Sequence, residues 1–224
     1  MIPIVVGSRS PRRLDLLSAA LPGRDLIVCP PLNADEPGFD DVITLAGFEL
    51  RIGEIVAAKL ADVLQQLTAN DIAARSQVTA DEFAVICADT TVIVTDDAGR
   101  PLSLGQPPEA SDWQGVVADW FRRYLAGRTH TVMSGVSVAR YRRLTGETMV
   151  LDRVCSTRVT MRSDIDEWLD WYLATGEPIG KAGGYAIQGA GSVFVTKLEG
   201  SYSNVVGLPL EETLAMLREL EVLE

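Results

Sequence analysis

Histidine occurs once in this chain, at position 130, which removes every zinc site built on two imidazoles and leaves any serine triad a single base to use. No Gly-x-Ser-x-Gly elbow accompanies it. Its place in Gly127-Arg128-Thr129-His130, at an expected strand start, favours a structural hydrogen bond. Cysteine is almost as scarce. Cys29, Cys87 and Cys155 are far apart and odd in number, which fits neither a disulfide framework nor a CxxC knuckle and points to a reducing compartment. Positive charge is short too: 20 Lys+Arg face 31 Asp+Glu, a net −11. A protein that neutralises the phosphates of a nucleic acid along its length is thereby excluded. A small anion is not, because a compact cationic pocket acts through its local field. No uncharged stretch is long and apolar enough to cross a bilayer. Met1–Gly7 lacks the basic region of a signal peptide, so a cytoplasmic protein is expected.

What remains is an ordinary globular composition, 47% hydrophobic and 23% charged over 224 residues, long enough to bury roughly 70% of its unfolded surface. No repeat appears and no linker demands separate units, so 1–224 is expected to be one domain, with the polar stretch Thr68–Glu82 as an exposed connection. Ile2–Val6 reads as a strand and Pro11–Ala20 as a helix. Val42–Leu67 reads as one long amphipathic helix, and Phe83–Val94 as a buried strand. Asp96–Gly99 is turn chemistry for a hairpin, and Ala110–Leu125 returns to helical spacing. Thr129–Tyr141 and Glu147–Met161 follow as strands, then a helix over Ser163–Ala174 capped by Ser163 and a glycine-rich loop over 176–191. Val193–Leu198 and Tyr202–Val206 read as strands, and Pro209 opens a last helix. This order, neither βαβ repetition nor all-β, predicts an α/β protein with a mixed sheet and flanking helices.

Several segments carry candidate chemistry. Ser8-Arg9-Ser10-Pro11-Arg12-Arg13 joins a strand to a helix start, with Ser10 able to cap it. Arg12 and Arg13 sit where the helix dipole disfavours cations, so the segment is either a phosphate site or an ordinary cap with solvated arginines. Asp35-Glu36 is an acidic loop that solvation alone could explain. Lys59 falls on the apolar stripe of Ile52, Ile55, Val56 and Val63, where it either snorkels or faces a cleft. Asp89 is the strongest signal. A carboxylate between Val85-Ile86-Cys87-Ala88 and Val92-Ile93-Val94 must meet a metal, a cation or several donors, or bond backbone N–H groups in a structural role. Gly180–Gly191 packs five glycines around Lys181 and Gln188. It is neither a Walker loop nor a dinucleotide fingerprint, and reads as a phosphate or base contact or as a plain loop.

Taken in order, Ser-Arg-Ser-Pro-Arg-Arg at 8–13, Asp35-Glu36, Lys59, Ala88-Asp89-Thr90, Gly127–His130, Lys181-Ala182-Gly183, Ile187-Gln188-Gly189 and Gly200–Leu210 resemble the Maf family of nucleoside triphosphate pyrophosphatases, historically described as septum-formation inhibitors. The resemblance implies a twisted mixed sheet in two lobes around a central cleft, hydrolysis of a nucleoside triphosphate to monophosphate and pyrophosphate, a divalent cation (Mg²⁺ or Mn²⁺), and a tendency to homodimerise. It implies Asp89 as proton acceptor, Glu36 and Asp89 as metal ligands, and Lys59 beside them. Ser8, Arg12, Arg13 and Lys181 fall on substrate-binding positions. Arg12, Thr90 and Gln188 fall on the positions that set base preference, in the dTTP/UTP pattern. Gln106 stands where the family usually has lysine, and Gly180 where it usually has an acid. These departures predict a slow enzyme, and leave as alternatives a nucleotide-binding regulator of cell division or a pyrophosphatase for modified or purine nucleotides.

Overall fold

The computed structural model describes residues 1–33, 37–68, 80–109 and 112–224. Asp35 and Glu36 therefore lie outside the described residues, as do 69–79 of the polar stretch and Ala110 at the expected start of a helix.

Seven strands form one sheet: β1 (Ile4–Val6), β2 (Leu26–Val28), β3 (Glu82–Thr95), β4 (Pro101–Leu104), β5 (Thr129–Arg142), β6 (Glu147–Met161) and β7 (Val195–Glu199), in the order β2-β1-β3-β5-β6-β7, with β4 also beside β3. β2, β1 and β3 run parallel and the remaining pairs antiparallel, so the expected mixed sheet is present. The helices are α1 (Pro11–Ala20), α2 (Leu45–Thr68), α3 (Trp113–Trp120, continued by a wider turn over Phe121–Leu125), α4 (Asp166–Ala174), α5 (Tyr202–Val206) and α6 (Leu210–Glu219). No described helix is long and apolar enough to cross a membrane.

The feature that makes a site is a fork in the sheet. β5 pairs with β3 from Glu82 to Ile93, but the opposite edge of β3 has two partners. β1 holds Ala84–Ile86 and β4 holds Val92–Thr95, which among the described residues leaves 87–91 without a strand on that edge. Because side chains alternate across a sheet, Ala84, Ile86 and Ala88 join the core under α1 and α6, while Phe83, Val85 and Cys87 pack with Leu60, Val63 and Leu67 of α2. The first face divides again at the fork. Between the Ala84–Ala88 core and a second core around Val92, Val132, Phe121, Tyr172 and Phe194 lies a polar pair, Thr90 and Ser134, whose hydroxyls are 2.9 Å apart. On the other face α2 comes close at Gly135, where a Cβ would stand 3.1 Å from the Ile52 carbonyl. Gly135 is the register partner of Asp89, so the crossing brings Lys59 to it.

Local expectations needed correction in places. Tyr202–Val206 is a helix, not a strand. Ser201 Oγ accepts the Asn204 N–H, and the buried Asn204 amide donates to Val132 O and Thr157 Oγ1, both at 3.0 Å. These capping and tertiary bonds override the β propensity of the segment. α2 begins at Leu45 because Thr44 Oγ1 accepts the Gly47 N–H. α4 begins at Asp166 with Ile165 at its cap position, so Ser163 does not cap it, and Pro209 precedes rather than opens the last helix. Pro11 does open α1, but Ser10 makes no side-chain cap; instead Ser8 Oγ accepts the Ser10 N–H at 3.1 Å. The glycine-rich loop contains two tight turns, over Ala182–Gly184 and Ala190–Phe194.

Candidate active site

A cavity of about 680 Å³ opens at the fork. It is lined by Ser8, Arg12 and Arg13 from the β1–α1 junction, Lys59 from α2, Asp89 and Thr90 from β3, and Lys181 and Gln188 from the glycine-rich loop. Every site candidate read from the sequence thus reaches one space, except Asp35 and Glu36, which lie outside the described residues.

Asp89 and Thr90 are neighbours on opposite faces of β3, and the missing edge strand lets both reach the cavity. Lys59 Nζ donates to Asp89 Oδ1 at 2.6 Å, with the two side chains 13% and 19% exposed. Lys59 therefore faces the cleft rather than snorkelling. On the other face Arg13 is a brace as well as a cation. Its Nε donates to Gly207 O at 2.7 Å, Nη1 to Ser8 Oγ at 3.1 Å and Nη2 to Thr90 Oγ1 at 3.2 Å. Three of the five guanidinium donors thus tie α1, β3 and the end of α5 together. Arg12 reaches Val206 O through Nε at 3.4 Å. Burial lowers its pKa, against an opposing pull from Glu177. Lys181, whose Nζ donates to Ile179 O at 3.2 Å, is lowered by burial and then by Arg12. Two cations that repel each other across one cavity favour an anion between them.

His130 is 3% exposed and bonds Tyr185 Oη through Nε2 at 2.7 Å. Burial pushes its pKa down to about 4. It is the structural group expected, although Tyr185 itself lines the cavity. Gln106 and Gly180 also line it, so both departures fall at the site. Gly183 donates its N–H to Gly105 O at 3.0 Å and has φ +69° with no room for a Cβ beside Val92. This contact joins the segment that carries Lys181 to the one that carries Gln106.

Ser134, Tyr185, the Gly207 carbonyl and Glu177 belong to the site or its support and escaped sequence reasoning. None of them stands out in the sequence: Glu177 reads as an ordinary acid at a helix end and Ser134 as an ordinary strand hydroxyl. Among the described residues no three metal-ligating side chains cluster, and Asp89 is the one carboxylate lining the cavity. An oxygen donor beside a cluster of cationic side chains suits a hard cation when an anion is bound, since Mg²⁺ is commonly held by one or two carboxylates together with substrate phosphates.

A forked mixed sheet with one acid and several cations at the fork defines an α/β protein built to act on a small, strongly anionic ligand. The family model described as Maf-like protein matches residues 3–220. A dTTP/UTP pyrophosphatase of Anaeromyxobacter dehalogenans (strain 2CP-C) is 36% identical over 96% of this chain and 92% of its own length. Proteins of the same description from Clostridium beijerinckii (33%; 97% and 99%) and Dictyoglomus thermophilum (36%; 97% and 95%) align as fully. The chain belongs to the Maf family of nucleoside triphosphate pyrophosphatases.

Proposed function

We propose that this member cleaves the α–β phosphoanhydride of a uracil or thymine nucleoside triphosphate. Water oxygen bonds the α-phosphorus, its proton passes to Asp89, and the bridging oxygen leaves with the β-phosphate, giving a monophosphate and pyrophosphate. The observation that carries the reading is Asp89, held by Lys59 at the unpaired edge of β3 and facing the same cavity as Arg12, Arg13 and Lys181. Lys59 fixes the carboxylate in place and brings a positive charge to the same cavity. Arg12 and Lys181 meet charge as it builds on the leaving group, and Ser8 and the α1 amino terminus receive phosphate oxygens. Asp89 with Glu36 would hold Mg²⁺ or Mn²⁺, which when bound neutralises phosphate charge and polarises a phosphoryl oxygen. The Gln188 carboxamide can donate to a carbonyl and accept from N3–H on the edge that uracil and thymine share. Arg12 and Thr90 shape the same subsite.

The reading includes a cytoplasmic setting, in keeping with three free thiols. It also includes a homodimer, for which the outer edge of β6 from Glu147 to Cys155, without a strand partner among the described residues, offers an open surface. The test is a panel of canonical and modified triphosphates with Mg²⁺ or Mn²⁺, scoring pyrophosphate apart from phosphate. Pyrophosphate from UTP and dTTP is expected. Release of phosphate instead would reject the chemistry, and tight binding without turnover would favour the regulatory alternative, which the presence of Gln106 and Gly180 in the cavity wall supports.

A further inference from the structure

Behind the wall that carries Lys181 and Gln188 lies a carboxylate that the chemistry above does not use. Glu177 follows Gly176, whose φ of +70° turns the chain out of α4. Its own N–H donates to Thr175 Oγ1 at 3.1 Å, so its backbone is set by the helix end. Its Oε2 accepts the N–H of Ala190 at 2.7 Å and its Oε1 that of Gly191 at 2.8 Å. Both are charge-assisted bonds, stronger than neutral ones. Between the bonded amides and Gln188 sits Gly189, where an ideal Cβ would fall 1.9 Å from Glu177 Oε2. Its φ of −118° is open to any residue, so the carboxylate, not the backbone angle, reserves this position for glycine. Gln188 is exposed, and among the described residues its side chain makes no hydrogen bond. Where its carboxamide can reach is therefore decided by the backbone that Glu177 grips. The same carboxylate lies close enough to Arg12 and Lys181 to oppose the effect of burial on both.

We propose that Glu177 is a positioning residue for base recognition: by holding the Ala190 and Gly191 amides it places Gln188 against the nucleobase. The proposal rests on the pyrimidine triphosphate reading of the site. Its test compares Glu177→Ala, Glu177→Gln, Gly189→Ala and the Glu177→Ala/Gly189→Ala double variant. One readout is calorimetric binding of α,β-methylene UTP and α,β-methylene CTP; the other is steady-state pyrophosphate release. Glu177→Ala is expected to reduce the UTP-over-CTP preference about tenfold, through Kd and KM, with kcat for UTP within about threefold. Glu177→Gln, which keeps one acceptor oxygen, should retain part of the preference. Gly189→Ala should lose it as Glu177→Ala does, and should add little in the double variant, because the added methyl then meets no carboxylate. An unchanged preference in folded Glu177→Ala, equal kcat losses on both nucleotides, or additive losses in the double variant would overturn the proposal. If Glu177→Ala does not fold, Glu177→Gln and Gly189→Ala decide by the same criterion. A wild-type protein that releases no pyrophosphate yet prefers the UTP analogue, a preference lost in the variants, would end the enzymatic reading and leave the positioning role standing. A wild type with no preference would end the positioning role whatever its turnover.

Discussion

At the scale of single residues the site depends on charges that must be met by partners. Asp89 accepts from Lys59 at 2.6 Å, a bond that an asparagine carboxamide oxygen can also accept, so the asparagine variant keeps the shape and loses the proton acceptor. Asp89→Asn is expected to cut pyrophosphate release by about 10³-fold while nucleotide binding changes a few-fold, read by coupled pyrophosphate assay and calorimetry. A variant that still turns over at a tenth of the wild-type rate would move the base elsewhere. Gln106 lines the same cavity as Lys181 and cannot neutralise phosphate charge. Gln106→Lys should raise turnover, by up to about 10²-fold if the amine reaches the leaving group; an unchanged or lower rate would show that this wall carries no transition-state charge. Lys59 and Asp89 were legible in the sequence because a charge on an apolar stripe or inside a β-branched run must find a partner. Ser134 and Glu177 were not. A hydroxyl in a strand and an acid at a helix end are commonplace, and only the register with Thr90 and the closeness of Gly189 show what they do.

Among the elements, the β1–α1 junction is the most exacting. Gly7 donates its N–H to Ile86 O at 2.8 Å, and a Cβ on it would stand 2.4 Å from the buried Cys87 Sγ, 3.2 Å from Val63 and 3.3 Å from the Ile86 carbonyl. Gly7→Ala must push the junction off β3, carrying Ser8, Arg12 and Arg13 with it. We expect a loss of about 1–3 kcal/mol in urea unfolding and weaker triphosphate binding. Adding Cys87→Ala should recover part of both, since the nearest obstacle is that sulfur; a double variant as damaged as the sum of the two would place the strain in the backbone contacts. The long elements were readable from composition: α2 from its stripe, β3, β5 and β6 from their β-branched residues. The short ones were not. Tyr202–Val206 has the composition of a strand, and it is helical because Ser201 caps it and the Asn204 amide is claimed by Val132 and Thr157, partners that no local pattern displays.

For the whole molecule, the α/β class followed from the order of elements, but the fork did not. That β1 and β4 share one edge of β3 combines a local hairpin with a β1–β3 pairing across about eighty residues, and the cleft lies between the two strands. His130, on β5 opposite Val159 of β6, is buried with its Nε2 on Tyr185, and this gives the fold a built-in sensitivity to acid. In the unfolded chain the imidazole takes up its proton near 6.5; in the native protein burial delays this to about 4. Between those values the unfolded state binds the extra proton, so native stability falls as pH drops below 6.5, and the loss is complete near 4. Each pH unit in that window is worth about 1.4 kcal/mol, so roughly 2 kcal/mol should be gone by pH 5. Glu82, held low by hydrogen bonds from Arg140 and Arg142, adds to acid sensitivity only further down, as its ordinary range is reached. Urea unfolding of wild type and His130→Gln at pH 7.5, 6 and 5 separates the two contributions. The variant starts less stable but should lose little between pH 7.5 and 5, so the two curves converge. Parallel curves would mean that His130 is protonated in the native state and that the Tyr185 wall of the cavity tolerates its charge.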